Sequence, residues 1–222
     1  MSLGRRVTAE AVGTAFLVMA VVGSGIAAQR LSPGDAGLQL LVNSLVTGAA
    51  LVALILALQP VSASFNPVVT AIERVLGLVT TREAALLVAA QVFGGVVGCV
   101  LANLMFELDA VSLSDHDRIS SGTLLAEVVA TAGLVVIVFG SIRAGRLETV
   151  AYAVGGYITA AYWFTSSTSF ANPAVTLART LTNTFAGIAP ASAPAFVLMQ
   201  IVGGALGLGL VLLLHPARRA TS

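Results

Sequence analysis

The sequence predicts an all-helical integral membrane protein: six transmembrane helices plus two re-entrant half-helices, arranged as an inverted repeat. Three observations predict it. Apolar runs of about 20 residues recur along the chain, the length an α-helix needs to cross about 30 Å of hydrocarbon, without the short alternation of a membrane barrel. Two Asn-Pro pairs, Asn66-Pro67 and Asn172-Pro173, each follow a long apolar run, and the stretch Ser64-Phe65-Asn66-Pro67-Val68 is a degraded copy of Ser169-Phe170-Ala171-Asn172-Pro173-Ala174. Longer segments also repeat between the two halves. Composition agrees: 57% of the 222 residues are hydrophobic and 9% charged, against roughly a quarter charged in soluble domains.

Taken in order, the first span is predicted at about 7–28, preceded by Arg5 and Arg6 and closed by the turn-rich Ser32-Pro33-Gly34-Asp35. The second covers about 37–58 and stops at Gln59-Pro60, because proline cannot continue a helix. Asn66-Pro67 then starts a short helix: Asn caps free N–H groups, and Pro at the first helical position loses a donor that had no partner. It ends near Arg74, too short to span. The third span is about 82–104. An acidic loop follows, with Glu107, Asp109, Asp115 and Asp117 against Arg118 alone. The fourth span is about 124–142, and Arg143 and Arg146 bracket a tight basic loop. The fifth is about 149–164, Asn172-Pro173 opens a second half-helix to about 182, and the sixth span is about 194–214.

Six alternating spans put Arg5, Arg6, Arg82, Arg143, Arg146, Arg218 and Arg219 on one side, with Arg30 and Arg118 on the other. The positive-inside rule then makes both termini cytoplasmic. Each Asn-Pro segment must enter and leave on one side, since counting it as a span would break this separation. No cleavable signal is expected, because the first run shares its pattern with a later one: residues 9–18 match 126–135, and 91–98 match 200–207. The chain therefore reads as one membrane domain over 1–222 with repeats of about 7–105 and 122–215. Three full spans per half force the second half in upside down, which places a site near the midplane. Non-helical backbone at that depth survives only if it is buried in protein or lines a water-filled cavity, so a pore lined by two broken segments is expected. Two helix N-termini meeting there repel cations and protons, while the Asn66 and Asn172 amides can hydrogen-bond an uncharged solute.

These residues carry a resemblance. Asn66-Pro67-Val68, Asn172-Pro173-Ala174, Glu10, Glu127, Gln91 and Gln200 are similar to the pattern of the major intrinsic proteins, the aquaporins and aquaglyceroporins, over essentially the whole length. The resemblance implies two Asn-Pro-Ala boxes capping the half-helices, with Val68 here in place of the first Ala. It implies that Glu10 and Glu127, with their neighbours, brace the half-helix loops by accepting backbone N–H groups; a proton relay is the alternative role for such carboxylates. It also implies a homotetramer with one pore per subunit. Family members usually carry Arg directly after the second box, where this chain has Val175. Counting back without gaps from the boxes, the companion filter positions are Val46, Ala160 and Ser169. The expected constriction of Val46, Ala160, Ser169 and Val175 is small, apolar and uncharged, so the pore should be limited by Asn66 and Asn172 or by Phe65 and Phe170. Val175 in the place of Arg resembles the bacterial aquaglyceroporins of arsenic-resistance operons. That resemblance implies passage of arsenite, organoarsenicals and polyols such as glycerol across a bacterial inner membrane; a general glycerol and water facilitator is the plainer alternative.

Arg179 lies four residues after Val175, on the same helical face. It could supply a displaced charge to the outer mouth, but the usual behaviour of such an Arg is to snorkel to the interface and pair with a loop acid. Tyr162, Trp163 and Phe164 are expected to form an interfacial aromatic belt. Cys99, the only cysteine, excludes an intramolecular disulfide and reads as a small buried hydrophobe. His116 and His215 have no ligand-like neighbours. The sequence holds no nucleotide loop, no metal-spaced Cys/His cluster and no nucleophile paired with a base, so neither enzyme, cofactor, metal nor nucleic acid is expected. The competing class is a proton-coupled transporter, which would need Glu10 or Glu127 on the solute path.

Overall fold

The computed structural model describes residues 1–215; Arg218 and Arg219, used in the charge argument above, lie outside the described residues. Among those described, eight α-helices follow in order: α1 Leu3–Leu31, α2 Ala36–Leu58, α3 Pro67–Val75, α4 Thr81–Met105, α5 Ser121–Arg143, α6 Val150–Phe164, α7 Pro173–Ala178 and α8 Ala193–Leu214. Five of them, α1, α2, α4, α5 and α8, are long and apolar enough to cross a membrane. The sixth expected span, α6, has 15 residues, about 22 Å at 1.5 Å per residue, with a 3₁₀ turn at Leu147–Thr149 in front of it. It stops short because the chain must turn back at 165–172 to reach the second Asn-Pro cap. The second half-helix is likewise shorter than predicted, six helical residues continued by a 3₁₀ turn at Arg179–Leu181.

The starts follow from local chemistry. Thr80 and Glu83 form a reciprocal capping box on α4, and Ser120 and Thr123 do the same on α5. Asn66 and Asn172 cap α3 and α7, with Pro67 and Pro173 at the first helical position.

Small residues decide which spans pack. α1 lies against α4 and α5 against α8. A Cβ added at Gly94 or Gly98 would stand 2.1 or 2.2 Å from the carbonyl oxygens of Ala11 and Ala15. One added at Gly203 or Gly207 would stand 2.5 or 2.6 Å from those of Val128 and Ala132. Backbones approach closely at these four sites because no side chain intervenes, the usual device where lipid offers helices no hydrophobic incentive to associate.

Polar contacts tie the helix ends together at the two ends of the bundle. Arg6 of α1 pairs with Glu83 of α4 at 3.4 Å, Gln59 at the end of α2 reaches the Leu147 carbonyl at 3.2 Å, and Arg143 reaches the His215 carbonyl. At the opposite end Arg30 bonds the Phe106 carbonyl, and the acidic loop folds over the chain after α7 through Ser112 to Leu181, Ser114 to Thr180 and Ala189 to His116. Cys99 is fully buried between helices.

Candidate pore between the half-helices

The two caps meet. Asn66 Oδ1 accepts from Val68 N at 3.0 Å while its Nδ2 donates across to the Ala171 carbonyl at 2.7 Å. Asn172 mirrors it: Oδ1 accepts from Ala174 N at 3.0 Å and Val175 N at 3.3 Å, and Nδ2 donates to the Phe65 carbonyl at 2.7 Å. An amide nitrogen carries two donor hydrogens. Each Asn therefore uses one to hold the opposite loop, and both residues line the same cavity, where the second is available.

The loops feeding the caps are strained. Phe65 and Ala171, each directly before its Asn, have φ of 47° and 46°, in the left-handed region that costs a non-glycine residue of order 1–3 kcal/mol. Two fully buried carboxylates hold them there. Glu10 accepts from Ser64 N at 2.9 Å, Phe65 N at 2.7 Å, the Ser62 hydroxyl at 2.6 Å and Gln91 Nε2 at 2.7 Å. Glu127 accepts from Phe170 N and Ala171 N at 3.0 Å each and from Gln200 Nε2 at 2.6 Å. Gln91 and Gln200 also donate to Thr70 and Thr176, both at 2.9 Å, so each half carries the same Glu-Gln-Thr network. The threonines, two positions after each box's third residue, had no signal in the sequence beyond recurring in both copies.

Val68, the departure from the first box, has its own accommodation. It is buried among Val69, Ile72, Val135, Phe139 and Val211, and its Cγ1 occupies the space beside Gly204, where an added Cβ would stand 2.4 Å away. The equivalent glycine of the other half, Gly95, faces the Ala174 carbonyl.

The cavity has a volume of about 90 Å³. α6 contributes Val150, Val154, Ile158 and Tyr162, a stripe at every fourth residue; α2 contributes Thr47, Leu51 and Ile55; and Leu17, Val21, Leu134 and Val138 come from α1 and α5. Phe65, Phe170, Ser169 and Val175 are also on the wall. Val46 and Ala160, expected there, are not: Val46 is 39% exposed and Ala160 is also exposed on the outside of the bundle. Helical phase explains the correction. One residue turns a helix by about 100° and two by about 200°, so a gapless count across irregular loops lands on the wrong face. Thr47 and Tyr162 stand in their place, 3.2 Å apart through their oxygens. Tyr162 is thus 3% exposed and turned to the cavity, whereas Trp163 and Phe164 are half exposed.

Arg179 also departs from expectation. It is 2% exposed, lies on the cavity wall and pairs with no loop acid among the described residues. Burial of Ala186 against α1 and the return of the chain at 182–192 carry the carbonyl that captures its Nε. This wall is therefore neither wholly apolar nor uncharged.

Comparison with known proteins places this architecture. The family profile described as Major intrinsic protein matches residues 1–149. Aquaglyceroporin AqpS of Rhizobium meliloti (strain 1021) is 50% identical over 218 residues, covering 97% of this chain and 93% of the relative. In fold, the X-ray structure of the aquaglyceroporin from Plasmodium falciparum superposes with a TM-score of 0.75 over 97% of both chains, at 17% identity.

Proposed function

The chain belongs to the major intrinsic protein family, whose aquaglyceroporins are channels and not enzymes, and from that membership we propose a passive pore for small uncharged solutes: polyols such as glycerol, and arsenite or organoarsenicals. The observation that carries the reading is a cavity passing both Asn caps with Val175 on its wall where the family usually has Arg. A neutral trihydroxide such as arsenite resembles a polyol in size and hydroxyl presentation. Both classes can accept hydrogen bonds from the spare Asn66 and Asn172 donors, and the carbon backbone of a polyol can lie against the Val154, Ile158 and Val175 wall. Cation and proton exclusion rests on the amides and on the α3 terminus; α7, with six residues, adds less dipole. The Thr47, Tyr162, Ser169 and Val175 level is the constriction in this reading.

The competing transporter lacks its main requirement. A coupled mechanism needs a titratable carboxylate facing the solute, yet neither Glu10 nor Glu127 lines the cavity and the oxygens of both are occupied by loop N–H groups and glutamine. The matched networks are read as inverted repeats, the basic end as cytoplasmic, and the assembly as a homotetramer in a bacterial inner membrane. The test is the permeability of arsenite, glycerol and water in one proteoliposome preparation. Arsenite and glycerol both passing well above empty liposomes is expected; glycerol without arsenite would reduce the assignment to a polyol facilitator, and no flux would defeat the channel reading.

A further inference from the structure

Arg179 lies on the cavity wall. It sits four residues after Val175 at the start of the 3₁₀ turn that continues α7. Its guanidinium lies over the Phe170 ring with Cζ 3.5 Å from the centroid, and that ring is held edge-on by Phe196 at 5.3 Å between centroids. Only Nε is engaged, donating to the Ala186 carbonyl; among the described residues Nη1 and Nη2 donate to nothing. A second guanidinium, Arg118, lies 5.3 Å from the same ring with Nε and Nη2 spent on the carbonyls of Gly187 and Phe185. The buried carboxylate on this half of the chain, Glu127, is spent on Phe170 N, Ala171 N and Gln200. The Ser169 hydroxyl, also on the wall, is buried with no partner, and the Thr47 and Tyr162 hydroxyls line the same space.

A guanidinium 98% buried and without a counter-ion is costly unless something enters to meet it. The planar pair of free Nη donors matches a planar oxyanion in bidentate fashion. We propose that this part of the cavity is a binding site for a small monovalent oxyanion of the nitrate or carboxylate type, held by Arg179 Nη1 and Nη2 with Ser169, Thr47 and Tyr162 as neutral hydroxyl partners. The inference rests on the cavity being the solute path, so an anion bound there obstructs glycerol. Chloride, a sphere without a second oxygen, binds the fork less well.

The experiment follows glycerol flux into proteoliposomes of the full chain in sodium nitrate against sodium chloride at equal osmolarity and neutral pH. Wild-type flux is expected to fall at least twofold in nitrate relative to chloride. Arg179→Gln is expected to bring that ratio to one, and Arg179→Lys, which keeps the charge but loses the fork, to lie between. The ratio is independent of each variant's basal flux. Wild-type glycerol flux with no nitrate effect overturns the site while leaving the channel reading intact; absent glycerol flux overturns the channel reading itself. If Arg179→Gln does not fold, the wild-type ratio and Arg179→Lys still decide, and an undiminished nitrate effect in Arg179→Lys overturns the assignment.

Discussion

At the scale of single residues, Glu127 does more than fill space. Its two oxygens accept Phe170 N and Ala171 N, and Ala171 is the strained residue that delivers Asn172 to the pore. Glu127→Gln replaces one acceptor by a donor facing a backbone N–H, leaving a buried donor unpaired at about 1–3 kcal/mol. The expected outcome is a lowered unfolding midpoint in detergent, with glycerol flux reduced more than the loss of folded protein explains; an unchanged midpoint would contradict the bracing geometry. Val175→Arg acts differently. It sets a second guanidinium one turn from Arg179 on the same wall and narrows the path beside Tyr162. Glycerol and arsenite flux should fall about tenfold, a barrier increase of about 1.4 kcal/mol, with a smaller loss for water. Equal loss of all three in stopped-flow measurements would place the constriction elsewhere. The repeat marked Glu10 and Glu127 as a matched pair, while their bracing role was implied only by the resemblance to the major intrinsic proteins; the role of Tyr162 was hidden because Tyr-Trp-Phe at a helix end resembles an interfacial belt.

At the scale of elements, helix contacts are set by residues that lack side chains. Val68 fills the notch at Gly204, so Gly204→Ala should destabilise by about 1–3 kcal/mol through overpacking, and Val68→Ala in the same chain should recover most of it. A double-mutant cycle on thermal stability measures this; additive losses would show that the two do not compete for the same space. The acidic loop has its own tether. Asp117 lies outside the spans, and the Ile119 N–H first, then the Ser192 hydroxyl, hold its carboxyl below the usual carboxylate range. A carboxyl depressed in the fold adds stability that is present above its unfolded pKa and is lost as pH falls through its folded value. Acidification below the ordinary Asp range should therefore loosen the joint between this loop and the start of α8, and Asp117→Asn should remove that part of the acid dependence. Limited proteolysis of the loop as a function of pH reads it directly; identical profiles for both proteins would refute the tether.

At the scale of the whole molecule, a path whose wall includes neither Glu10 nor Glu127 predicts flux that follows the solute gradient alone. Imposing a proton gradient across proteoliposomes should leave initial glycerol rates unchanged, and acceleration would revive the coupled reading. The architecture was legible in the sequence because its causes are local. Hydrocarbon thickness dictates run lengths, loop arginines dictate alternation, and Asn-Pro caps a helix wherever it stands, so spans at 7–28 and 82–104 emerged within a few residues of α1 and α4. The cavity wall was not legible in the same way. It depends on the rotation of α2 and α6 about their own axes and on where irregular loops let them settle, and a shift of one or two residues exchanges the pore face for the lipid face. By itself the sequence determined the membrane class, the spans and the paired caps, and its resemblance to the major intrinsic proteins implied the carboxylate braces. Only the tertiary structure decided that Thr47 and Tyr162 replace Val46 and Ala160 on the wall and that Arg179 turns inward, because those outcomes are fixed by packing between segments far apart in the chain.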